Sequence, residues 1–308
     1  MLLDVFFNTT TLASALRLSI PLIFAAIGSC FSDKAGVFNI ALECFMLCAA
    51  FFAALGTWFT VNPYIGVLCG IGASLICSVI FGFFVFHLKS SGIVVSIALN
   101  LSAWGLTTLL MMYFWGCRGS YIDERLVSLP SIRADWVAEI PFVGKILYGQ
   151  NMTAFLGILL IFLMWFVMYK TTFGLRLRGV GLNATASQTI GVSVKKYRWY
   201  ATIITGAFCG IGGAVLPLGG TSIFSENMTA GRGFLAVAAV MVGKGNPLLT
   251  GVFCLLFAYT DALSLQLQNI GIPSQLVETF PYVTTVLVLV ISGIKQTLKE
   301  ASLRKAAL

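Results

Sequence analysis

The sequence predicts an all-α, polytopic membrane protein of about nine transmembrane helices (eight to ten), folded as a single domain over residues 1–308. Three observations carry that expectation. The composition is 58% hydrophobic and 10% charged, with a mean hydropathy of +0.95, where a soluble domain holds roughly 45–50% apolar and about 25% charged residues. The excess runs along the whole chain, so no soluble module is set apart. Apolar runs recur at the length of a spanning helix, about 20 residues. Basic residues gather between those runs, which assigns the net charge of +8 to a membrane surface and excludes nucleic acid as the natural partner.

The elements follow in order. Candidate spans lie near residues 9–29, 36–60, 63–86, 92–115, 152–169, 199–219, 233–243, 248–267 and 280–294. No charged leader with a small-residue cleavage site precedes the first, and Arg17 lies inside it, so it reads as a mature span. The seventh is too short to cross and is rich in Gly and Ala. It reads as a half-helix, tolerable only where protein or a cavity covers its ends. Between the fifth and sixth spans, residues 170–198 carry Lys170, Arg176, Arg178, Lys195, Lys196 and Arg198 with no acid. The tail adds Lys295, Lys299, Arg304 and Lys305 against Glu300. Both belong in the cytoplasm, which places the 116–151 loop and the N-terminus outside. The resulting cytoplasmic set has 13 basic and 2 acidic residues, the outer set 5 and 7.

Polar residues inside the spans need a reason, since a charge at mid-bilayer costs about 2.5–3.5 kcal/mol on insertion scales. Glu43 and Asp261 are the deepest acids, and Asn39 and Asn100 add buried amides. Asn39 and Glu43, four apart, would share one helix face. They read either as a polar pathway or as interhelical hydrogen bonding, and Asp261 leans to the second. Gly231-Arg232-Gly233 opens the half-helix, aiming free N–H groups and a guanidinium at one point. That is either an anion or hydroxyl site or a turn with Arg232 at the headgroups. Gly66/Gly70 and Gly206/Gly210 are G-x-x-x-G pairs suited to close packing within the chain. The eight cysteines form no C-x-x-C pair and read as apolar packing, so no metal site is expected, and His87 reads as interfacial. Gly243-Lys244 lacks the upstream glycine of a P-loop and no nucleophile, base or metal cluster gathers at one face, so neither an ATPase nor a membrane enzyme is expected. Any partner contact falls on FGLRLRGVGLNATASQTIGV (Phe173–Val192): alternating Leu/Arg, a Gly179–Gly181 turn, then a short helix capped by Asn183.

At this loop the chain resembles a known family. IPFVGKILYGQ, a span, and TTFGLRLRGVGLNATASQTIG (Thr171–Gly191) are similar to the permeases of the branched-chain amino acid and simple-sugar ABC importers, whose loop reads G-L-R-x-R-A-V-G-E-N-P-x-A-A. SDKAGVFNIALECFML (Ser32–Leu47), VSIALNLSAWGLT (Val95–Thr107), and GRGFLAVAAVMVGKGNPL with LLFAYTDALSLQLQ (within Gly231–Gln268) resemble further family segments in the same order. The nucleoside-importer branch is the nearest. The resemblance implies an ABC importer permease fold in a bacterial inner membrane and alternating access driven by a partner ABC ATPase that binds ATP and Mg. It also implies a second homologous permease (heterodimer or homodimer) and an extracytoplasmic solute-binding lipoprotein, with no cofactor in this chain. It makes Gly181–Gly191 the coupling helix, with Arg176, Arg178, Gly181, Asn183, Ala186 and Gly191 in the ATPase-coupling segment. It puts Asn39, Glu43, Asn100 and Asp261 on the family's membrane polar positions, with Arg232 beside them in the candidate substrate pathway. Leu182, Ala184 and Cys44 depart from the family's Glu, Pro and Gly, which bears on the geometry of coupling. The sparse charge favours a neutral, hydroxyl-bearing solute over a branched-chain amino acid. A pentose, or a stand-alone secondary transporter, is the alternative.

Overall fold

The computed structural model describes residues 9–130, 149–268, 279–280, 282–290 and 293–294. Its helices are α1 (Thr9–Lys34), α2 (Leu42–Thr60), α3 (Pro63–Phe86), α4 (Gly92–Trp115), α5 (Met152–Lys170), α6 (Thr172–Leu182), α7 (Ala184–Thr189), α8 (Val194–Leu218), α9 (Arg232–Val242) and α10 (Pro247–Gln268). Two short strands, β1 (Ser120–Ile122) and β2 (Ile223–Ser225), complete them. Among the described residues seven helices are long and apolar enough to cross a membrane, and α9 is shorter. The expected ninth segment is helical at its described residues 280, 282–290 and 293–294, and the basic tail lies outside the described residues.

The core is α1, α2 and α8, with α10 against α1. These helices are buried over half or more of their length, whereas only 22% of the spanning windows of α4 and α5 is covered. Hydrocarbon gives helices no hydrophobic drive to associate, so small residues and hydroxyls must do it. A Cβ on Gly70 of α3 would stand 2.8 Å from the Ala49 carbonyl of α2, and one on Gly210 of α8 would stand 2.7 Å from Ile71 Cα of α3. Both glycine pairs therefore pack inside the chain, as expected. Thr205 of α8 donates to the Gly28 carbonyl of α1 at 2.9 Å, and Ser74 of α3 to the Gly206 carbonyl of α8 at 2.7 Å.

Two expectations fail. The second span starts at Leu42, and residues 37–40 are non-helical. Gly36 turns the chain at φ 70°, and the Asn39 carboxamide oxygen accepts from Ala41 N–H at 2.8 Å, an alternative to helix for the residues between. Asn39 and Glu43 therefore do not share a helix face. Likewise the Gly179–Gly181 stretch lies within α6 rather than in a turn.

At one end of the bundle β1 and β2 pair antiparallel, Tyr121 opposite Phe224. The Tyr121 ring stacks on Trp115 at 4.5 Å, and Asp123 accepts from the Tyr121 hydroxyl at 2.5 Å and from the Trp58 indole at 3.1 Å. At the opposite end, which collects Lys34, Lys89, Lys170 and Lys195 and is here termed the basic face, α6 and α7 sit beside the turn after α1.

Candidate functional site

The deepest polar feature is the meeting of Glu43 with the start of α9. Glu43, 7% exposed in the first turn of α2, accepts from Gly231 N–H at 2.9 Å through Oε1 and from Gly233 N–H at 2.7 Å through Oε2. A helix N-terminus presents unpaired N–H groups and roughly half a positive charge, so a carboxylate is its natural complement. Glycine is required there: Gly231 adopts φ 80°, and a Cβ on Gly233 would stand 2.5 Å from Glu43 N. The N–H groups that open α9 thus meet the chain's own Glu43, while the Arg232 guanidinium does not converge on the same point.

The non-helical segment before α2 is held by α4. Ile40 N–H donates to Ser96 Oγ at 3.2 Å, Asn100 Nδ2 donates to the Ile40 carbonyl at 3.2 Å, and Asn100 Oδ1 accepts from Cys44 N–H at 2.9 Å. Ser96 and Asn100 stand one turn apart on one face of α4, and both bond the backbone of Ile40. Irregular backbone survives at membrane depth only when protein satisfies it, and these two residues do so. Asn39, 4% exposed, keeps its carboxamide Nδ2 buried without a hydrogen-bond partner.

Arg232 faces away from Glu43. Its guanidinium reaches Asp261 Oδ2 of α10 at 3.5 Å and the Met228 carbonyl at 3.2 Å. The pair lines a cavity of about 280 Å³ with Ser264, Gln268 and Tyr282. Arg232 and Arg17 also line a smaller space of about 170 Å³ with Asn151. These contacts form a polar belt: Asn100 of α4 holds Ile40 and Cys44, Glu43 of α2 meets the start of α9, and Arg232 of α9 pairs with Asp261 of α10, while Asn39 lies in the non-helical segment before α2. Ser96 was missed in the sequence, and only its spacing from Asn100 could have flagged it. The cysteines were also under-read: the sulfurs of Cys44, Cys48 and Cys77 lie within 4.8 Å of one another. Cys44 and Cys48 are one turn apart on α2 and Cys77 faces them from α3.

The coupling segment divides into residues that hold it and residues that it shows. The Arg178 guanidinium lies 4.7 Å over the Tyr169 ring. Gly181 abuts the Lys34 backbone so closely that a Cβ would collide with the Lys34 carbonyl oxygen. Asn183 Oδ1 caps α7, accepting from Ala186 N–H at 3.0 Å, and Gly191 ends the turn after it at φ 82°. Arg176 and Ala186 are exposed, with Leu182 at 89% and Ile190 at 78% among the most exposed apolar side chains. Away from the spans, hydrogen bonds from Arg125 N–H and then the Tyr121 hydroxyl hold the Asp123 carboxyl below the usual range. Burial, then the bond to Asp123, raises the Tyr121 hydroxyl.

The family described as the branched-chain amino acid transport system / permease component matches residues 11–291. The chain is 34% identical over 290 residues to the nucleoside ABC transporter permease protein NupC of Lactococcus lactis, covering 90% of each chain. It is 31% identical to the guanosine ABC transporter permease protein NupQ of Bacillus subtilis, covering 87% of each. It is 29% identical to the putative glucose ABC transporter permease protein TsgC13 of Haloferax volcanii, covering 92% of this chain and 91% of that one. No solved structure matches. With a match over residues 11–291 and relatives more than 30% identical over nearly the whole chain, this helical bundle belongs to the branched-chain amino acid transport system permease family.

Proposed function

We propose that this chain is the transmembrane permease subunit of an ATP-binding cassette importer for nucleosides, spanning a bacterial inner membrane as one unit with its N-terminus outside and its C-terminus in the cytoplasm. One observation carries the mechanism: α7 is a capped, six-residue helix standing at the basic face with Leu182 and Ile190 bare at its ends. Apolar side chains so placed suit a groove in another protein, and a partner ATPase with its own ATP and Mg would dock there. Because Gly181 is pressed against the Lys34 backbone, movement of α7 passes directly to the turn between α1 and α2, and from there to the belt around Glu43. A second permease of the same kind would complete the pathway across the lipid-facing α4, and a solute-binding lipoprotein would deliver the nucleoside. The buried, unpartnered Asn39 Nδ2 offers a donor to a ribose hydroxyl or base carbonyl. A sugar is the second reading, favoured by the glucose-permease relative.

The docking test uses Ala186→Arg, since Gly181 is needed for the fold. The variant is expected to assemble in the membrane yet abolish uptake of labelled guanosine or adenosine in the complete transporter, and native uptake would remove α7 as the docking element. Glucose competing as well as nucleosides would move the substrate to sugars. Orientation is read by cysteine labelling: an impermeant reagent outside the cell is expected to reach a thiol placed at Ser128 and miss one at Thr185.

A further inference from the structure

The basic face also holds a cavity of about 730 Å³. Its charged lining residues are Lys89, Lys195 and Arg198, and no acid lines it. The three cations come from two places in the sequence, the α3–α4 turn and the first turns of α8. Lys89 is held there by a left-handed backbone at φ 53°. Two helices also begin at the cavity: Ser91 and Gly92 at the start of α4, and Val194 at the start of α8, are in its wall. Neither Ser91 nor Ser193 closes its helix with a side-chain hydrogen bond, so both N-termini keep unpaired N–H groups and their positive dipole ends. Arg198 Nε is buried with no hydrogen-bond partner. Cations, helix N-termini and an unsatisfied guanidinium nitrogen all ask for an anion with several acceptor oxygens.

The walls say which anion. Val85, Phe86, Phe38 and Ile93 line the same cavity, the last two 47% and 46% exposed. It lies where α3 ends and α4 begins, at the basic face, and both helices turn most of their surface outward. We propose that this cavity binds the phosphate of an acidic phospholipid headgroup, with its acyl chains running down the apolar wall of α3 and α4. The bound lipid would brace the turn after α1, because Gly36 and Val37 share the cavity with the cations and Gln188 of α7 reaches it from the other side.

The test uses the full chain in neutral detergent, with phosphatidylglycerol, phosphatidylcholine and inorganic phosphate as probes and lipid retention read by native mass spectrometry. Phosphatidylglycerol is expected to bind in preference to phosphatidylcholine. A lysine held beside an acidic headgroup contributes about fivefold, so the double variant Lys89→Gln/Lys195→Gln, which removes two from the cavity itself, should weaken retention about 25-fold. Lys195→Arg should keep it. Both lysines are exposed, so the double variant folds. The control Arg176→Gln/Lys196→Gln removes two charges from the same face outside the cavity and should leave retention near the native value. Equal losses in the two double variants would reduce the effect to surface charge and overturn the site. Phosphate competing as well as phosphatidylglycerol would make it a soluble-anion site and overturn the lipid assignment. So would a Lys89→Gln/Lys195→Gln variant that retains phosphatidylglycerol at the native level.

Discussion

Three long or deep helix N-termini in this protein meet the same physical problem in two ways. At the start of α9, deep in the bundle, the unpaired N–H groups of Gly231 and Gly233 are met by Glu43 from the chain itself. At the starts of α4 and α8, at the basic face, no side chain closes the helix and the cations Lys89, Lys195 and Arg198 add to the positive field. The contrast teaches where each solution is affordable. At membrane depth no water can serve, and an orphan N–H costs several kcal/mol, so the partner must be built in. At the headgroups water or a mobile anion can serve, so the site can stay open to a ligand.

The comparison breaks first at Glu43. Glu43→Ala would strand two buried N–H groups at about 1–3 kcal/mol each. Glu43→Gln, whose amide has a single acceptor oxygen, would strand one. Loss of assembled, detergent-stable protein in that order is the expected result, measured by thermal unfolding of the purified chain. Native stability with failed transport in Glu43→Gln would instead make the charge a pathway element. Since the structure gives both carboxylate oxygens a partner, a fold role is the expected outcome.

A smaller effect is expected on the next line of the same belt. Asn100→Ala removes the donor to Ile40 and the acceptor for Cys44 N–H. At roughly 0.6 kcal/mol per interhelical bond in membranes, the loss is about 1 kcal/mol, and Ser96→Ala costs about half of that. Amide exchange at Cys44 should quicken in Asn100→Ala, exchange at Ile40 in Ser96→Ala, and both variants should stay native at Gly233. Equal quickening at Gly233 would show that the break before α2 and the start of α9 are one cooperative unit.

The smallest effect lies at the end away from the basic face. Asp123 carries a lowered pKa in the fold, so its contribution is present above the ordinary carboxylate range and is lost as pH falls through the folded value. Acidification below about pH 4 should loosen the β1–β2 clasp, seen as a change in Trp58 fluorescence, and Asp123→Asn should remove that transition.

Much of this was legible from composition and spacing. Apolar length set the spans, small residues at i, i+4 set the α2–α3–α8 packing, and Asn183 before a run of small residues announced the α7 cap. These are local signals, because helix propensity, hydropathy and capping act within a turn or two. The belt residues could be named for the same reason: a charge or amide in an apolar run stands out whatever it touches. Their partners could not be. Asn39 and Glu43 looked like one helix face, because the break after Gly36 depends on Ser96 and Asn100, 56 and more residues away, satisfying the backbone. The sequence also could not tell that the anion for Gly231–Gly233 is Glu43, 188 residues earlier, that Cys77 joins Cys44 and Cys48, or that Lys89 and Lys195 face one cavity. By itself, then, the sequence determined that the chain crosses a membrane, which family it resembles and which residues are out of place in lipid. Only the tertiary structure decided which of those residues satisfy one another and which remain unmet, because hydrogen-bond and charge pairing is settled by distance in space.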